Sequence, residues 1–211
     1  MSYYFVKSFE EDFSTKTLVN KKKVTFQTLN DILKTNTIKP NTKSFGQKRR
    51  LSTTILSENY TKTYRPQGII FQTNIKPSYV LPFDLVLLSD AEKIVVHYYR
   101  IKNNLHLYYN HKLIDGYEEF VFRDIDEVIK KFDSPLSAWK ALNAFRIKKG
   151  KEALPKSKFR LVEYNEVVFL KAVKIKPIAL FGYQKTASEF ARMYNLPHFR
   201  SAKAFYQKMG R

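Results

Sequence analysis

Hydrophobic and polar positions change period several times along the chain, and the changes predict an α+β fold. Residues 3–6 (YYFV) read as a short strand. Phe26, Leu29, Ile32 and Leu33 then recur at helical spacing behind Thr25, a residue able to cap a helix, and predict a short helix over 26–34. Residues 68–73 (GIIFQT) form a strand-like apolar run. A denser pattern follows, with strands expected at 83–88 (FDLVLL), 93–101 (KIVVHYYRI), 105–114 (LHLYYNHKLI) and 117–122 (YEEFVF). SDAE, Asn103-Asn104 and Asp115-Gly116 separate them, and Asn and Asp-Gly tolerate the positive φ of tight hairpins. These four runs predict an antiparallel β-meander.

Helical spacing returns after the meander. Asp124 or Asp126 caps a short helix ending near Phe132. Ser134-Pro135 starts a second helix: serine caps it, and proline at the first position gives up an N–H that had no partner there. That helix runs to about Lys149 with Leu136, Trp139, Leu142 and Phe145 on its apolar face, and Gly150 stops it. Residues 160–175 hold one bent strand or two short ones, and the end of the chain reads as helix, turn, helix. The expected division is an N-terminal segment, 1–66, and an α+β body, 67–211, with the meander up to 133 and the helical part from 134.

One stretch lacks any strong period. Residues 32–57 contain no acid, and Lys34, Lys39, Lys43, Lys48, Arg49 and Arg50 lie among Thr, Asn, Ser, Gly and Pro. Such a segment buries little apolar surface and predicts a flexible basic arm.

Pairing the strands around Asn103-Asn104 sets Arg100 opposite Leu107 and Tyr98 opposite Tyr109 on one face. It sets Ile101 opposite His106, Tyr99 opposite Tyr108 and His97 opposite Asn110 on the other. The second face carries rings and polar groups, with Lys112 opposite Val95. Bases of single-stranded nucleic acid stack on such a surface while cations hold the phosphates. Tyrosine is also a good strand former, so a sheet covered by other elements fits equally, and both readings stay open.

Charge changes the picture most. The chain of 211 residues has 38 Lys and Arg against 19 acids, a net charge of +19 and a pI near 9.9. That exceeds the magnitude of about 2 to 8 that serves solubility in a small domain, and it favours a polyanion as partner. Nucleic acid, DNA or RNA, is the expected partner, and a membrane is not. No apolar run approaches the roughly 18–20 residues that span a bilayer. The chain has no cysteine, which excludes disulfides, thiolate metal sites and thiol catalysis and suits an intracellular place, cytoplasmic or at the nucleoid or nucleus. The start, MSYYFVKSFEEDF, carries early acids and predicts no export signal. The expected contacts are Lys48, Arg49 and Arg50 in the arm, Lys148 and Lys149 in the 148–160 loop, Tyr99 and Tyr108 on the sheet, and Arg192, Arg200, Lys203, Gln207 and Lys208 near the C-terminus.

From Val167 onward there are nine Lys and Arg and one acid, Glu189. Here Ala191 suits a close helix crossing, Phe190 and Tyr194 a buried face, Asn195 a left-handed turn and Leu196 the turn hydrophobe. Phe199, Ala202, Phe205 and Met209 suit the inner stripe of a second helix. This pattern resembles a helix-turn-helix, which implies that the second helix reads a major groove. It departs from the usual pattern at Ser201 and Ala204, and Pro197-His198 lengthens the turn. An ordinary helical hairpin fits as well.

Catalysis has few footholds. His97, His106 and His111 lie among asparagines, yet no His-His or Asp-His pair appears, so a His-Asn-His nuclease fits poorly. Asp84, just after Pro82-Phe83 on an expected strand, resembles the metal-binding Asp of restriction-like nucleases. That family carries an acid-x-Lys motif on the next strand, which here reads His97-Tyr98-Tyr99-Arg100. The resemblance implies a degenerate site, with Asp84 and His97 as its candidate catalytic residues. Mg²⁺ is expected only in that case, and otherwise no cofactor or metal. The acids Asp115, Glu118, Glu119, Asp124, Asp126, Glu127 and Asp133 are expected to cap helices and face water. Glu163-x-x-Glu166 is too short a motif to carry chemistry. Six mostly isolated glycines form no phosphate loop, and no serine sits in a nucleophile elbow. The leading expectation is a non-catalytic nucleic-acid-binding protein. The alternatives are a metal-dependent nuclease at Asp84 and a structural, ribosomal-type ribonucleoprotein component.

Overall fold

The computed structural model describes residues 3–19, 22–40, 51–84, 87, 96–101, 104–109, 112–113 and 117–209. It shows an α+β fold. In chain order the elements begin with β1 (Tyr4–Ser8), β2 (Ser14–Val19), β3 (Lys22–Thr28), α1 (Leu29–Thr35), β4 (Thr37–Ile38) and β5 (Leu51–Leu56). They continue with β6 (Gly68–Gln72), β7 (Tyr79–Leu81), β8 (Val96–Ile101), β9 (Asn104–Tyr109), β10 (Lys112–Leu113), α2 (Ile125–Lys131) and α3 (Pro135–Lys148). The last are β11 (Glu166–Phe169), β12 (Val173–Lys174), β13 (Lys176–Phe181), α4 (Lys185–Met193), β14 (His198–Phe199) and α5 (Ala202–Met209).

A seven-stranded sheet in the order β14-β13-β6-β1-β5-β11-β7 organises the molecule. Its neighbours run antiparallel except β13 and β14, which are parallel. Short apolar runs such as GIIF, YVL and VVF supply its strands because both faces are covered. Alternation then separates neighbours in sequence. Phe5, Leu51, Ile55, Ile69, Phe71, Val167 and Leu180 enter one cluster with Leu29, Ile32 and Leu33 of α1, Ile125 and Val128 of α2, and Ala187 and Ala191 of α4. Val6, Leu56, Ile70, Ala179 and Phe181 point the other way and meet Ala202 and Phe205 of α5. Beside them on that second face, Tyr79, Leu81 and Val168 meet Ala138, Leu142 and Phe145 of α3. Gly68 permits the closest strand approach, since a Cβ there would stand 2.3 Å from the Lys7 carbonyl oxygen.

Local chemistry sets several boundaries. Thr28, three residues beyond the expected Thr25, caps α1 and forms a reciprocal capping box with Asp31, and Asn36 ends the helix at φ 47°. The Thr28 hydrogen bonds hold the Asp31 carboxyl below its ordinary value. Asp124 caps α2 as expected, accepting from the Asp126 N–H at 2.8 Å. Ser134 caps α3 with Pro135 behind it, and Gly150 at φ 71° follows the helix. The buried stripe of α3 is Ala138, Leu142, Phe145 and Arg146, so the expected apolar face is turned: Leu136 is exposed and Trp139 half-buried.

Several details depart from expectation. Strands from both sides of 66/67 share one sheet, because β1 lies between β5 and β6. The expected arm is interrupted: α1 occupies its start, and Leu51–Leu56 is a sheet strand with Leu51, Thr53, Thr54, Ile55 and Leu56 buried. Residues 41–50, with Lys48, Arg49 and Arg50, lie outside the described residues.

Among the described residues the meander is three strands, β8 to β10. Phe83 and Asp84 lie in a bend after β7, and Tyr117–Phe120 is a 3-10 turn where a strand was expected, because Tyr117 and Phe120 bury together against Phe145. Of that run, Phe122 alone makes an isolated bridge, to Val80. The β8–β9 register, Tyr99 opposite His106 and His97 opposite Tyr108, is two residues from the one expected, a slip that leaves the alternation of positions unchanged. Lys112 pairs with Tyr109, and Asp115-Gly116 lies outside the described residues.

The C-terminal pair is not a helix-turn-helix. Residues 194–201 join α4 to α5 and include β14, which adds to the edge of the main sheet. The helices pack on opposite faces of that sheet, whereas helix-turn-helix helices pack on each other. Asn195 does adopt the expected left-handed conformation (φ 51°), and Ala191, Ala202 and Phe205 are buried, but Met209 is exposed.

Candidate functional site

The second face of the sheet has a seam between its two apolar clusters. Val6 pairs with Thr54 across β1 and β5, and Glu166 begins β11 one residue before the Val167–Thr53 pair. The same face therefore carries Val6, Ser52, Thr54 and Glu166. The bend after β7 brings Asp84 over them, and the segment before β11 brings Tyr164 and Asn165. These residues, with Lys7, Ser8 and Tyr64, line a pocket of about 230 Å³.

Its polar groups are held in a network. Tyr164 Oη donates to Asp84 Oδ2 at 2.9 Å. Ser52 Oγ donates to Glu166 Oε1 at 2.6 Å, and Lys7 Nζ donates to the Ser52 carbonyl at 3.3 Å. Asn165 continues the β5–β11 ladder with its side chain: Oδ1 accepts from the Ile55 N–H at 2.8 Å and Nδ2 donates to the Ile55 carbonyl at 3.2 Å. Asp84 is fixed at the backbone too, its N–H donating to the Leu161 carbonyl at 2.9 Å. Burial raises the Tyr164 phenol far above its ordinary value, and the Asp84 carboxylate, its hydrogen bond, Tyr64 and the Glu166 carboxylate push the same way. Tyr164 thus stays a donor throughout the neutral range.

Asp84 and Glu166 are 8% and 5% exposed, and among the described residues they are the buried carboxylates. Burying a carboxylate is costly unless donors or cations surround it. Two of them in one pocket, in a chain of net charge +19, set this place apart from ordinary packing. At the rim Tyr64 is 55% exposed and meets Tyr164 edge-on at 5.9 Å. Arg65 stacks over Tyr64 at 4.8 Å and bonds Glu10 at 2.9 Å, and Lys62 bonds Glu163. Carboxylate oxygens are hard ligands that suit Mg²⁺ or Mn²⁺. Among the described residues no group of three or more His, Asp or Glu could hold a metal ion, so hydroxyls, carbonyls or water would complete any set here.

Of the residues singled out by sequence, Asp84 is in this pocket. Lys148 and Lys149 are exposed at the end of α3. Arg192 is exposed on α4, and Arg200, Lys203, Gln207 and Lys208 are exposed beside and along α5. Tyr99, Tyr108 and His97 belong to the separate three-stranded sheet. Tyr164, Ser52 and Lys7 escaped the sequence reading, and Glu166 was set aside with Glu163 as too short a motif. A signal existed for Glu166, which stands two positions from Val168 in a fully buried strand. Comparison of the chain with known protein families, characterised proteins and solved structures finds no significant match.

Proposed function

We propose that this is a non-catalytic nucleic-acid-binding protein of an intracellular compartment. One observation carries the reading. α3 and α5 cover the same face of the sheet, and exposed cations lie on and beyond both helices. Lys148, Lys149, Lys151, Lys156 and Arg160 are exposed between the end of α3 and Tyr164, and Arg200, Lys203 and Lys208 are exposed along α5. A polyanion laid on this face meets both groups. Arg192 on α4 is on the opposite face and outside this surface. Among the described residues no helix is long and apolar enough to cross a membrane.

The test is titration of labelled single- and double-stranded DNA and RNA at two salt concentrations. Affinity should fall steeply with salt, and replacing Arg200 and Lys203 with Ala should flatten the slope by about 0.7–0.9 for each phosphate no longer neutralised. Affinity independent of salt would refute the reading.

A second reading, a divalent-metal nuclease, is favoured by the pairing of Asp84 with Glu166 in one pocket that Lys7 also lines. Cleavage of a labelled duplex in Mg²⁺ or Mn²⁺, lost in Asp84→Asn, would establish it.

A further inference from the structure

We infer that the pocket at the seam receives a single extruded nucleobase, guanine by preference, from a strand lying on the basic face. The inference builds on the nucleic-acid reading and names the site within it. Three features point to a base. The pocket, about 230 Å³, is smaller than the ~300–1,000 Å³ typical of drug-sized ligands and suits one planar ring. Its rim holds a ring already oriented by two contacts, Tyr64, with Tyr164 against its edge and Arg65 on its face. An exposed tyrosine beside a cavity is a stacking wall for a base. Its lining holds two carboxylates, Asp84 and Glu166, which disfavour a phosphate, with Lys7 beside them and the exposed cations of α3 and α5 outside it.

This lining also chooses the base. A carboxylate accepts and does not donate, and it presents about four lone-pair positions. Guanine presents two adjacent donors on its pairing edge, N1–H and the N2 amino group. Adenine and cytosine set one donor beside an acceptor, and thymine and uracil flank one donor with two carbonyls. Glu166 lies on a rigid central strand and is braced by Ser52, so it is the acceptor for that edge. Asp84, held by Tyr164, adds acceptor capacity for the amino group. The exposed cations on and beyond α3 and α5 hold the flanking phosphates.

The experiment uses the full chain and a labelled oligo(dT) strand carrying one central guanine, the same strand with adenine there, and the free mononucleotides GMP, AMP, CMP and UMP. The guanine strand should bind roughly 5- to 150-fold tighter than the adenine strand. GMP alone of the four should compete. Glu166→Gln, nearly isosteric, should erase the preference while keeping the affinity of the adenine strand. Tyr64→Ala, at an exposed position, should weaken guanine binding about 5- to 150-fold. If Glu166→Gln fails to fold, Asp84→Asn and Tyr64→Ala carry the test.

Equal binding of both strands with no GMP competition would overturn the pocket assignment and leave the nucleic-acid reading standing. GMP binding that depends on Glu166, with no strand bound, would uphold the pocket and sink that reading. Strand cleavage in Mg²⁺, abolished by Asp84→Asn, would overturn the assignment by giving the carboxylates to a metal.

Discussion

The two faces of the central sheet are built from the same strands and differ in purpose. On the first, Phe5, Ile55, Phe71, Val167 and Leu180 form one apolar cluster under three helices, and where Thr53 interrupts it the hydroxyl donates to the Val167 carbonyl at 3.1 Å. On the second, two apolar clusters stop short of each other, and the gap is filled by Ser52, Thr54, Asp84, Tyr164 and Glu166. The first face is packed as one continuous cluster, while the second interrupts its apolar packing to hold two carboxylates in place. Buried charge that a core does not need is a mark of function.

The contrast can be broken most forcefully on the first face. Phe71→Ala removes a fully buried ring stacked on Phe5 at 5.6 Å and should cost about 3–5 kcal/mol in urea unfolding. A cost under about 1 kcal/mol would mean that this face is not packed as one continuous cluster. On the second face Tyr164→Phe deletes the donor to Asp84 and should cost about 1–3 kcal/mol. The phenol of Tyr164 has a raised value in the folded protein, so its contribution is complete below about pH 10 and is lost as pH rises through the folded value. The stability gap between wild type and Tyr164→Phe should therefore narrow above about pH 10, as thermal melts would reveal. A constant gap would place the phenol in solvent.

Ser134→Ala, which tests neither face but the start of the helix that borders the seam, should cost about 0.5–2 kcal/mol by removing the α3 cap. The smallest effect on folding belongs to the outer surface. Replacing Lys148, Lys149 and Lys151 with Ala should change stability by no more than about 0.5 kcal/mol. It should also flatten the salt dependence of nucleic-acid binding by about 0.7–0.9 for each phosphate that these lysines neutralise. An unaltered slope would move the interface off this loop.

What could be read in advance was local. Ser134-Pro135 and Gly150 mark a helix by chemistry that acts within one turn, and both ends were legible. Thr25 and Thr28 offer the same hydroxyl, but Thr28 alone has an acid three residues on, Asp31, to complete a capping box. The meander register moved by two because more than one turn could close the same alternating strands. Asp84 could be suspected, but its companions could not. Glu166 and Ser52 reach it through β5 and β11, and pairings between strands so far apart in sequence leave no periodic trace. The C-terminal helices matched a helix-turn-helix in spacing. The two-residue β14 sends them to opposite sides of a sheet, and nothing in His198-Phe199 announces a strand.

That sheet also ends in a telling way. One margin is β14, two residues long, and the other is β7, three residues long and bridged once to Phe122. A chain rich in tyrosine, isoleucine and phenylalanine is well supplied for growing filaments by strand addition. Stubs at both margins give an arriving strand too few hydrogen bonds to settle. Copies of the protein can then crowd together without this sheet joining end to end.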